Sequence, residues 1–362
     1  FYGMRSILVV FMTQYLMTSG GILATLSVEE ATTYYHLFVS TTYFLPIVGA
    51  IVADAYWGKY RTVMLLSLVY CAGHLALFLD DTKVGLFIGL MLIAIGSGGI
   101  KPSVASNVGD QFGQSNAYLL PRAFSWYYLG INIGSSTSSL MIPWLLAWQG
   151  PAVAFGVPGL FMVLATVTFW AGRHRFVHVP PAGRSYLRDI FGPEGQRVVR
   201  RLLIIYILVA AFWSLFDQMG STWVLQAMNM DRVVLGYELL PAQIQAVNPF
   251  LIIVLIPIFS YWVYPFLERF FSVTSPRRMS IGMFLAATPF LVTAWIEAQI
   301  QMGFSPHIGW QLLAYLLITI AEVLLVVTCM EFSYTQAPKR MKSLVMALFY
   351  LSISAGNLFT AL

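Results

Sequence analysis

The sequence has little charge: of its 362 residues, only 10% are Asp, Glu, Lys or Arg, against roughly 25% in an ordinary soluble domain. Hydrophobic residues make up 59%, and the mean hydropathy is +0.76. A chain this poor in charge cannot cover a globule of its size with polar surface, which excludes a cytosolic enzyme, a secreted disulfide scaffold and a disordered chain. The only two cysteines, Cys71 and Cys329, lie inside apolar runs, where we expect small core residues rather than a disulfide or metal site. The composition indicates a multispanning membrane protein.

Eleven apolar stretches are long enough to cross a bilayer as helices, which takes about 20 residues. They cover approximately residues 1–20, 34–53, 62–79, 84–107, 123–147, 152–172, 202–227, 244–267, 280–297, 309–333 and 343–362. The stretch 173–201 is basic and contains several prolines and glycines, so we interpret it as a cytoplasmic linker. It separates an N-terminal six-helix bundle (1–172) from a C-terminal bundle (202–362). Because the count is odd and the chain starts without Met, we expect a twelfth helix and some N-terminal sequence to be missing.

Positive charge is unevenly distributed between the connecting loops. If the first loop, residues 21–33, lies outside and the segments alternate from there, sixteen Lys and Arg residues fall in inner loops and two, Lys83 and Arg232, in outer loops. Inner loops of membrane proteins carry the excess of Lys and Arg, so this distribution predicts the orientation. A juxtamembrane basic cluster such as residues 197–201 is ordinary in a membrane protein, and we predict no nucleic-acid partner.

Four charged side chains lie well inside the apolar segments rather than at their ends: Arg5, Lys101, Asp217 and Glu322. An ionisable group in a bilayer core costs about 2.5–3.5 kcal/mol on insertion scales, so each is a candidate functional residue. Two acids and two bases permit two ion pairs between helices. Such pairs can act as switches, because protonation of a carboxylate removes its attraction for the cation. The alternative interpretation is that the buried charges are purely structural.

The surroundings of Lys101 are unusual for a membrane helix. Small residues occupy 96–99, and Pro102 follows the lysine. Small residues allow helices to approach closely, and a proline frees a backbone carbonyl, so this stretch predicts a broken helix that lines a cavity. Hydropathy alone also allows Lys101 to mark the inner end of its segment.

Polar and aromatic side chains on other segments are candidates for lining the same cavity. Asn132 lies between Gly130 and Gly134, and this spacing indicates either helix packing through small residues or an amide that faces a solute. The remaining candidates are Tyr43 in segment two, Trp213 in segment seven and Asn248 in segment eight.

His36 lies near the start of segment two and has two interpretations. It is close enough to the outer surface to be an ordinary interfacial residue. Histidine is also the side chain that changes charge at about pH 6.5, which makes it a candidate for proton coupling beside a cavity.

No catalytic or nucleotide-binding motif is present: the sequence has no HExxH, no GxSxG and no paired-cysteine metal site. We therefore predict neither an enzyme nor a bound cofactor, and the chain does not encode an ATP-driven pump. Polar residues scattered over many apolar segments instead indicate a cavity between helix bundles, which is typical of a secondary transporter.

Several stretches, taken in order, carry a family resemblance. They are residues 1–5, 43–46, 49–54, 58–61, 96–102, 124–135, 212–218, 321–323, 331–338 and 341–343. Together they resemble the proton-dependent oligopeptide transporter (POT/PTR) family of the major facilitator superfamily, in its bacterial type. The resemblance implies uptake of di- and tripeptides with protons by a monomer in the bacterial inner membrane. It also implies two six-helix bundles that rock about a central site, with no cofactor beyond the proton gradient.

The resemblance assigns roles to the buried charges. It pairs Arg5 with Asp217 between helices one and seven, and Lys101 with Glu322 between helices four and ten. It places the peptide carboxylate on Arg5 and Lys101. It places the peptide amino terminus on Glu322, Asn132 and Asn248. By the same resemblance, the pockets for the peptide side chains are lined by Tyr2, Tyr43 and Trp213, and proton coupling is assigned to His36.

The sequence departs from the family pattern in places, and rival functions remain. The acidic first-helix motif that should precede Phe1 is absent, and Phe1 replaces a tyrosine. The loop 298–308 is too short for the extracellular domain of animal relatives, which favours a bacterial protein. The closest rival is the same fold carrying nitrate or an amino-acid-like solute, and the other is a membrane sensor that no longer transports.

Overall fold

The computed structural model describes residues 1–183, 192–336 and 342–362, and in these residues the chain is almost entirely helical. The N-terminal half contains α1 Tyr2–Gln14, α2 Val28–Ile51, α3 Lys59–Leu79, α4 Lys83–Asp110, α5 Leu120–Gln149 and α6 Pro151–Ala171. The C-terminal half contains α7 Pro193–Phe216, α8 Thr222–Ala227, α9 Val247–Ile258, α10 Tyr264–Leu267, α11 Ser275–Leu285, α12 Thr288–Gln301, α13 Gly309–Glu322, α14 Thr328–Gln336 and α15 Lys342–Ala361.

Shorter elements extend or connect these helices. The 3₁₀ turns are Ala117–Leu119, Gly172–His174, Asp217–Gly220 and Pro241–Ala246, and the π-helical turns are Val52–Trp57, Phe259–Val263 and Val323–Val327. A small antiparallel hairpin pairs β1 Val233–Val234 with β2 Tyr237–Glu238. Residues 184–191 of the predicted linker and residues 337–341, which include parts of the last two family motifs, lie outside the described residues.

All eleven predicted segments coincide with helical structure. Eight helical stretches of the described residues are long and apolar enough to cross a membrane: Val28–Trp57, Lys59–Leu79, Lys83–Asp110, Pro151–His174, Gly195–Ala227, Pro241–Leu267, Ser275–Gln301 and Gly309–Ser333. The other three predicted segments coincide with α1, α5 and α15. The largest boundary difference is at α7, which begins at Pro193 rather than near 202, because its basic first turns continue the helix beyond the apolar stretch.

Local sequence signals explain several helix ends. The side chain of Ser27 accepts a hydrogen bond from the Glu30 backbone N–H, and the Glu30 carboxylate accepts one from the Ser27 N–H, both at 3.1 Å. This reciprocal cap fixes the start of α2. Gly150 has φ +85 between α5 and α6, a conformation that side chains rarely adopt, so glycine permits the sharp turn there.

The glycine-rich stretch of α4 packs against α2, as its small residues predict. A Cβ on Gly49 of α2 would lie 2.3 Å from the Cα of Gly99, so two backbones meet directly. The predicted break at Pro102 is wrong, since α4 is one continuous helix through that residue. Proline removes its own N–H and crowds the carbonyl four residues earlier, but membrane helices tolerate it where neighbouring helices pack around the freed backbone group.

The two halves are joined toward the end of the molecule that carries the loop after α1, which we call the first-loop end. The Ser40 Oγ of α2 donates to the Ser354 carbonyl of α15 at 2.9 Å. Gln243, before α9, donates to the Leu140 carbonyl of α5 at 2.9 Å. Among the described residues, the hydrogen bonds between the halves all lie between the level of Ser40 and this end.

Candidate functional site

A buried ion pair joins the two halves at the middle of the molecule. Arg5 of α1 donates from Nη2 to Oδ1 of Asp217, the first residue of the 3₁₀ turn after α7. Their side chains are only 12% and 1% exposed. The pairing that the family resemblance implies is therefore present as a contact. A charge buried this deeply needs a partner, so each residue satisfies the other.

Tyr35 holds the arginine in place from α2. Its hydroxyl accepts a hydrogen bond from Arg5 Nε at 2.7 Å. The guanidinium therefore donates from Nε to Tyr35 and from Nη2 to Asp217. The Tyr35 hydroxyl lies against Gly220, where an added Cβ would come within 1.7 Å of it. Only glycine at this turn leaves room for the tyrosine that orients Arg5.

His36 and Asn357 extend this cluster across the interface between α2 and α15. His36 Nδ1 lies 2.7 Å from Asn357 Oδ1, and Asn357 Nδ2 donates to the second carboxylate oxygen of Asp217 at 2.5 Å. The other ring nitrogen, Nε2, lies 2.9 Å from the Ser221 hydroxyl. His36, Ser221 and Asn357 are completely buried. His36 is therefore part of an interior network and is not an interfacial residue.

Sequence reasoning missed three members of this network: Tyr35, Ser221 and Asn357. Asn357 is an amide within the last apolar segment, so the reasoning that selected Asn132 and Asn248 also applies to it. Nothing in the sequence distinguishes Tyr35 from its neighbour Tyr34, because only the packing against Gly220 shows which of them faces inward.

The expected ion pair between Lys101 and Glu322 is wrong in this conformation. Among the described residues, no hydrogen-bond partner reaches the buried Nζ of Lys101. The ammonium instead lies over two rings, 3.9 Å from the centroid of Phe1 and 4.0 Å from that of Tyr43. Aromatic faces attract cations, and both rings belong to the same half as the lysine, whereas Glu322 belongs to the other half.

Glu322 has its own partners within the C-terminal half. Asn248 Nδ2 donates to Glu322 Oε2 at 2.8 Å and lies 3.0 Å from the Thr319 hydroxyl. Glu322 ends α13 and is followed at once by the π-helical turn Val323–Val327. Such turns are frequent at functional sites because they change the direction in which nearby side chains point. The structure thus brings the predicted residues Asn248 and Glu322 together.

The predicted aromatic residues lie around the same interface. Tyr43 of α2 stacks on Tyr350 of α15 with ring centroids 6.0 Å apart. Trp213 packs edge-on against Phe349, and its indole nitrogen is buried without a partner among the described residues. Tyr2 is 38% exposed, next to the buried cluster on α1.

Asn132 is a buried residue of α5, whereas Gly130 and Gly134, two residues to either side of it, are on an exposed face. Its amide donates to the Tyr128 carbonyl one turn earlier at 2.9 Å. A Cβ on Gly130 or Gly134 would meet no described atom within 4 Å. The interpretation of these glycines as a helix-packing surface is therefore wrong here, and the structure does not bring Asn132 into contact with the other candidate residues.

The described residues contain no group of three or more His, Cys, Asp and Glu side chains placed to hold a metal ion. Both cysteines are free, and Cys329 is buried. The chemistry that this arrangement offers is the binding of charged groups and protons between two halves.

Comparison with known proteins identifies the family. The model of the POT family matches residues 60–192 and 192–362, which together cover most of the chain. The chain belongs to the POT family. POT proteins are transporters and not enzymes, and the fold is the multi-pass all-α fold of the major facilitator superfamily.

Individual relatives agree with this assignment. The chain is 34% identical over 350 residues to peptide transporter family 1 of Drosophila melanogaster, a match that covers 84% of this chain and 46% of the relative. It is 35% identical over 353 residues to human solute carrier family 15 member 2, covering 83% and 47%. The crystal structure of the POT family transporter PepTSo superimposes with a TM-score of 0.91 at 37% identity, covering 99% of this chain and 85% of that one. The chain spans about half the length of the curated relatives it matches.

Proposed function

We propose that the protein is a proton-coupled symporter that imports di- and tripeptides by alternating access. The observation that carries this proposal is the separation of two buried charges of opposite sign. Lys101 on the N-terminal half and Glu322 on the C-terminal half have no bond to each other, and each is held by groups of its own half. A zwitterionic peptide needs opposite charges on opposite walls, and it can join these two halves.

The names of the relatives support a peptide as the solute. The Drosophila relative is named a peptide transporter, and the chain is 34% identical to it over 350 residues. In the proposed complex, Arg5 and Lys101 bind the peptide carboxylate. Glu322, Asn132 and Asn248 bind its amino terminus. Tyr2, Tyr43 and Trp213 contact its side chains.

We further propose that protons act on the network at the first-loop end. His36 and Asp217 are the titratable groups there, and Asp217 holds Arg5 across the interface. Protonation of Asp217 removes its attraction for Arg5, which loosens the contact between the halves and favours opening at that end. Glu322 is the second carboxylate in this scheme, since its only described partners are uncharged.

We also propose an orientation in the membrane and a cellular location for the protein. The segments divide into bundles 1–172 and 202–362 joined by the linker 173–201, with the first-loop end outside. The hydrogen bonds between the halves lie toward that end, which corresponds to a transporter closed to the outside. We place the protein, as a monomer, in the inner membrane of a bacterium.

The deciding experiment is uptake of labelled dialanine by proteoliposomes that contain the full-length protein. We expect accumulation driven by an inward proton gradient and abolished by a protonophore. In Glu322→Gln, we expect gradient-driven accumulation to be lost while exchange of dialanine is partly retained, because a neutral amide keeps hydrogen bonding but cannot carry the proton.

A matched control is Glu297→Gln, which changes a carboxylate that accepts from Gln226 away from the interface. Uptake by this variant should match the wild type. Full proton-driven accumulation by Glu322→Gln would contradict its assigned role. Dialanine binding without uptake would indicate a sensor. The absence of both binding and uptake would indicate another solute, with nitrate the next to test.

A further inference from the structure

Asn357 connects His36 to Asp217, and both the nitrogen and the oxygen of its side-chain amide make hydrogen bonds. It is completely buried in α15. Its Nδ2 donates to Asp217 Oδ2 at 2.5 Å and to the Ile353 carbonyl at 3.0 Å. Its Oδ1 lies 2.7 Å from His36 Nδ1.

These contacts fix the orientation of the Asn357 amide. An ionised carboxylate and a backbone carbonyl can only accept hydrogen bonds, so the amide nitrogen must face Asp217 and Ile353. The amide oxygen is then left to face His36, and it can only accept. His36 Nδ1 must therefore carry a hydrogen, whichever protonation state the ring adopts.

The other ring nitrogen is consequently the one that gains or loses a proton. In the neutral ring, Nε2 accepts a hydrogen bond from the Ser221 hydroxyl. In the protonated ring, Nε2 donates to that hydroxyl, which must turn its own hydrogen elsewhere. The Gln218 side-chain oxygen, 3.4 Å from Ser221 Oγ, is the acceptor that the structure offers.

We propose that Asn357 is a positioning residue that holds His36 as its Nδ1–H tautomer, directs proton binding to Nε2, and transmits the protonation state of His36 to the Arg5–Asp217 pair. This inference rests on the proposed function, in which His36 and Asp217 take part in proton coupling. The charged and titratable groups around His36 are Arg5 from α1, Tyr35 from α2 and Asp217 from the turn after α7. Asn357 is the uncharged contact from α15 that links His36 to them.

The transport test compares Asn357→Leu and Asn357→Ser with the wild type in the full-length protein. Both variants remove the link, and leucine keeps the volume of the side chain. We expect gradient-driven accumulation of dialanine to fall about tenfold or more, since a hydrogen bond to a charged group is lost. We expect exchange to be retained. The pH dependence of uptake should move to lower pH, because the hydrogen bond from Nδ1 to Asn357 is stronger when the His36 ring is protonated, and its loss therefore destabilises the protonated ring more than the neutral one.

Ser354→Ala is the matched control, because it removes the hydrogen bond between the Ser354 and Ser40 hydroxyls, which joins the same two helices, without touching His36 or Asp217. Its pH dependence should stay that of the wild type. An unchanged pH dependence in both Asn357 variants would overturn the inference. So would an equal change in Ser354→Ala, since a general loosening of the α2–α15 contact would then explain the effect.

A second measurement does not depend on transport. In protein labelled with ¹⁵N-histidine, the His36 ring signals are identified by their loss in His36→Gln. The neutral ring should show hydrogen on Nδ1 in the wild type and a mixture of tautomers in Asn357→Leu. Hydrogen on Nε2 in the neutral wild-type ring would overturn the inference. If the wild type transports no dialanine but shows the expected tautomer, the proposed function fails and the positioning role of Asn357 stands.

Discussion

At the scale of single residues, Asp217 is the most heavily constrained group in the interface. One carboxylate oxygen receives Arg5 and the other receives Asn357, so three helical elements meet on a single side chain. Breaking a buried pair by removing one partner costs about 3–5 kcal/mol, because the remaining charge is left without compensation. The strength of the contact between the two halves therefore depends on the charge states of Arg5 and Asp217.

The first residue-scale prediction concerns this pair. Arg5→Ala and Asp217→Asn should each lower dialanine uptake by about tenfold or more. The double variant should be no worse than the more impaired single variant, because both substitutions break the same contact. Initial uptake rates of the wild type, the two single variants and the double variant measure the interaction energy between Arg5 and Asp217.

The control for this cycle combines Arg5→Ala with Asp110→Asn. Asp110 pairs with Lys59 at 2.6 Å, a separate ion pair of the N-terminal half, so these two effects should add. Additive losses for Arg5 and Asp217 themselves would show that their contact does not carry the effect.

The sequence predicts which charged residues are buried, but it predicts their partners less well. Charge within an apolar segment selects Arg5, Lys101, Asp217 and Glu322 without reference to any structure. The partner of Lys101 could not be predicted, because it depends on the conformation: with the halves arranged as here, the lysine finds the rings of its own half. Asn357 was within reach of the same reasoning and was overlooked.

At the scale of elements, direct backbone contact defines the N-terminal half. Gly49 and Gly99 bring α2 and α4 together so closely that no side chain fits between them. In a membrane, helix association depends on this kind of close packing, since lipid supplies no hydrophobic driving force between helices. We therefore expect α2 and α4 to move as one unit, which would keep His36 and Lys101 in a fixed relation to each other.

The element-scale prediction compares two glycine substitutions. Gly49→Ala should lower the thermal stability of the purified protein by about 1–3 kcal/mol, because its Cβ overlaps the backbone of α4. Gly130→Ala, on the open face of α5, should leave stability unchanged or slightly higher, since alanine favours the helix. Thermal unfolding in the same detergent measures both, and equal melting temperatures would refute the packing argument.

Hydropathy predicted eleven segments that coincide with helical structure in the described residues, eight of them long and apolar enough to span a membrane, but it did not predict the course of α4. Apolar length is a property of the sequence itself, so all eleven segments were found. Whether a helix continues through Pro102 depends on the helices packed around it. The same is true of Gly130 and Gly134, whose spacing is compatible with packing although no helix covers them.

At the scale of the whole molecule, the contacts between the halves form a closure at one end. Ser40 and Ser354 lie at the limit of this closure farthest from the first-loop end, with their hydroxyl oxygens 3.1 Å apart. If transport requires the first-loop end to open, these two residues must separate in every cycle.

The whole-molecule prediction uses this pair. In a background with Cys71→Ala and Cys329→Ala, the double variant Ser40→Cys/Ser354→Cys should form a disulfide on mild oxidation, since side chains in contact are within disulfide range. Uptake should then fall to background and return on reduction. The pair Ser40→Cys/Ser352→Cys is the control, because Ser352 bonds to its own helix. Full uptake by the cross-linked protein would contradict an opening at this end.

Lys101 also has an electrical consequence. Its Nζ lies over two rings rather than beside an anion, so the protonated lysine gives the N-terminal half a charge that no described hydrogen-bond partner neutralises. A full elementary charge that crosses the membrane gains about 2.3 kcal/mol for every 100 mV. If the halves rock as proposed and carry this lysine through part of the field, we expect the membrane potential to bias that motion, so the return of the empty carrier should depend on voltage.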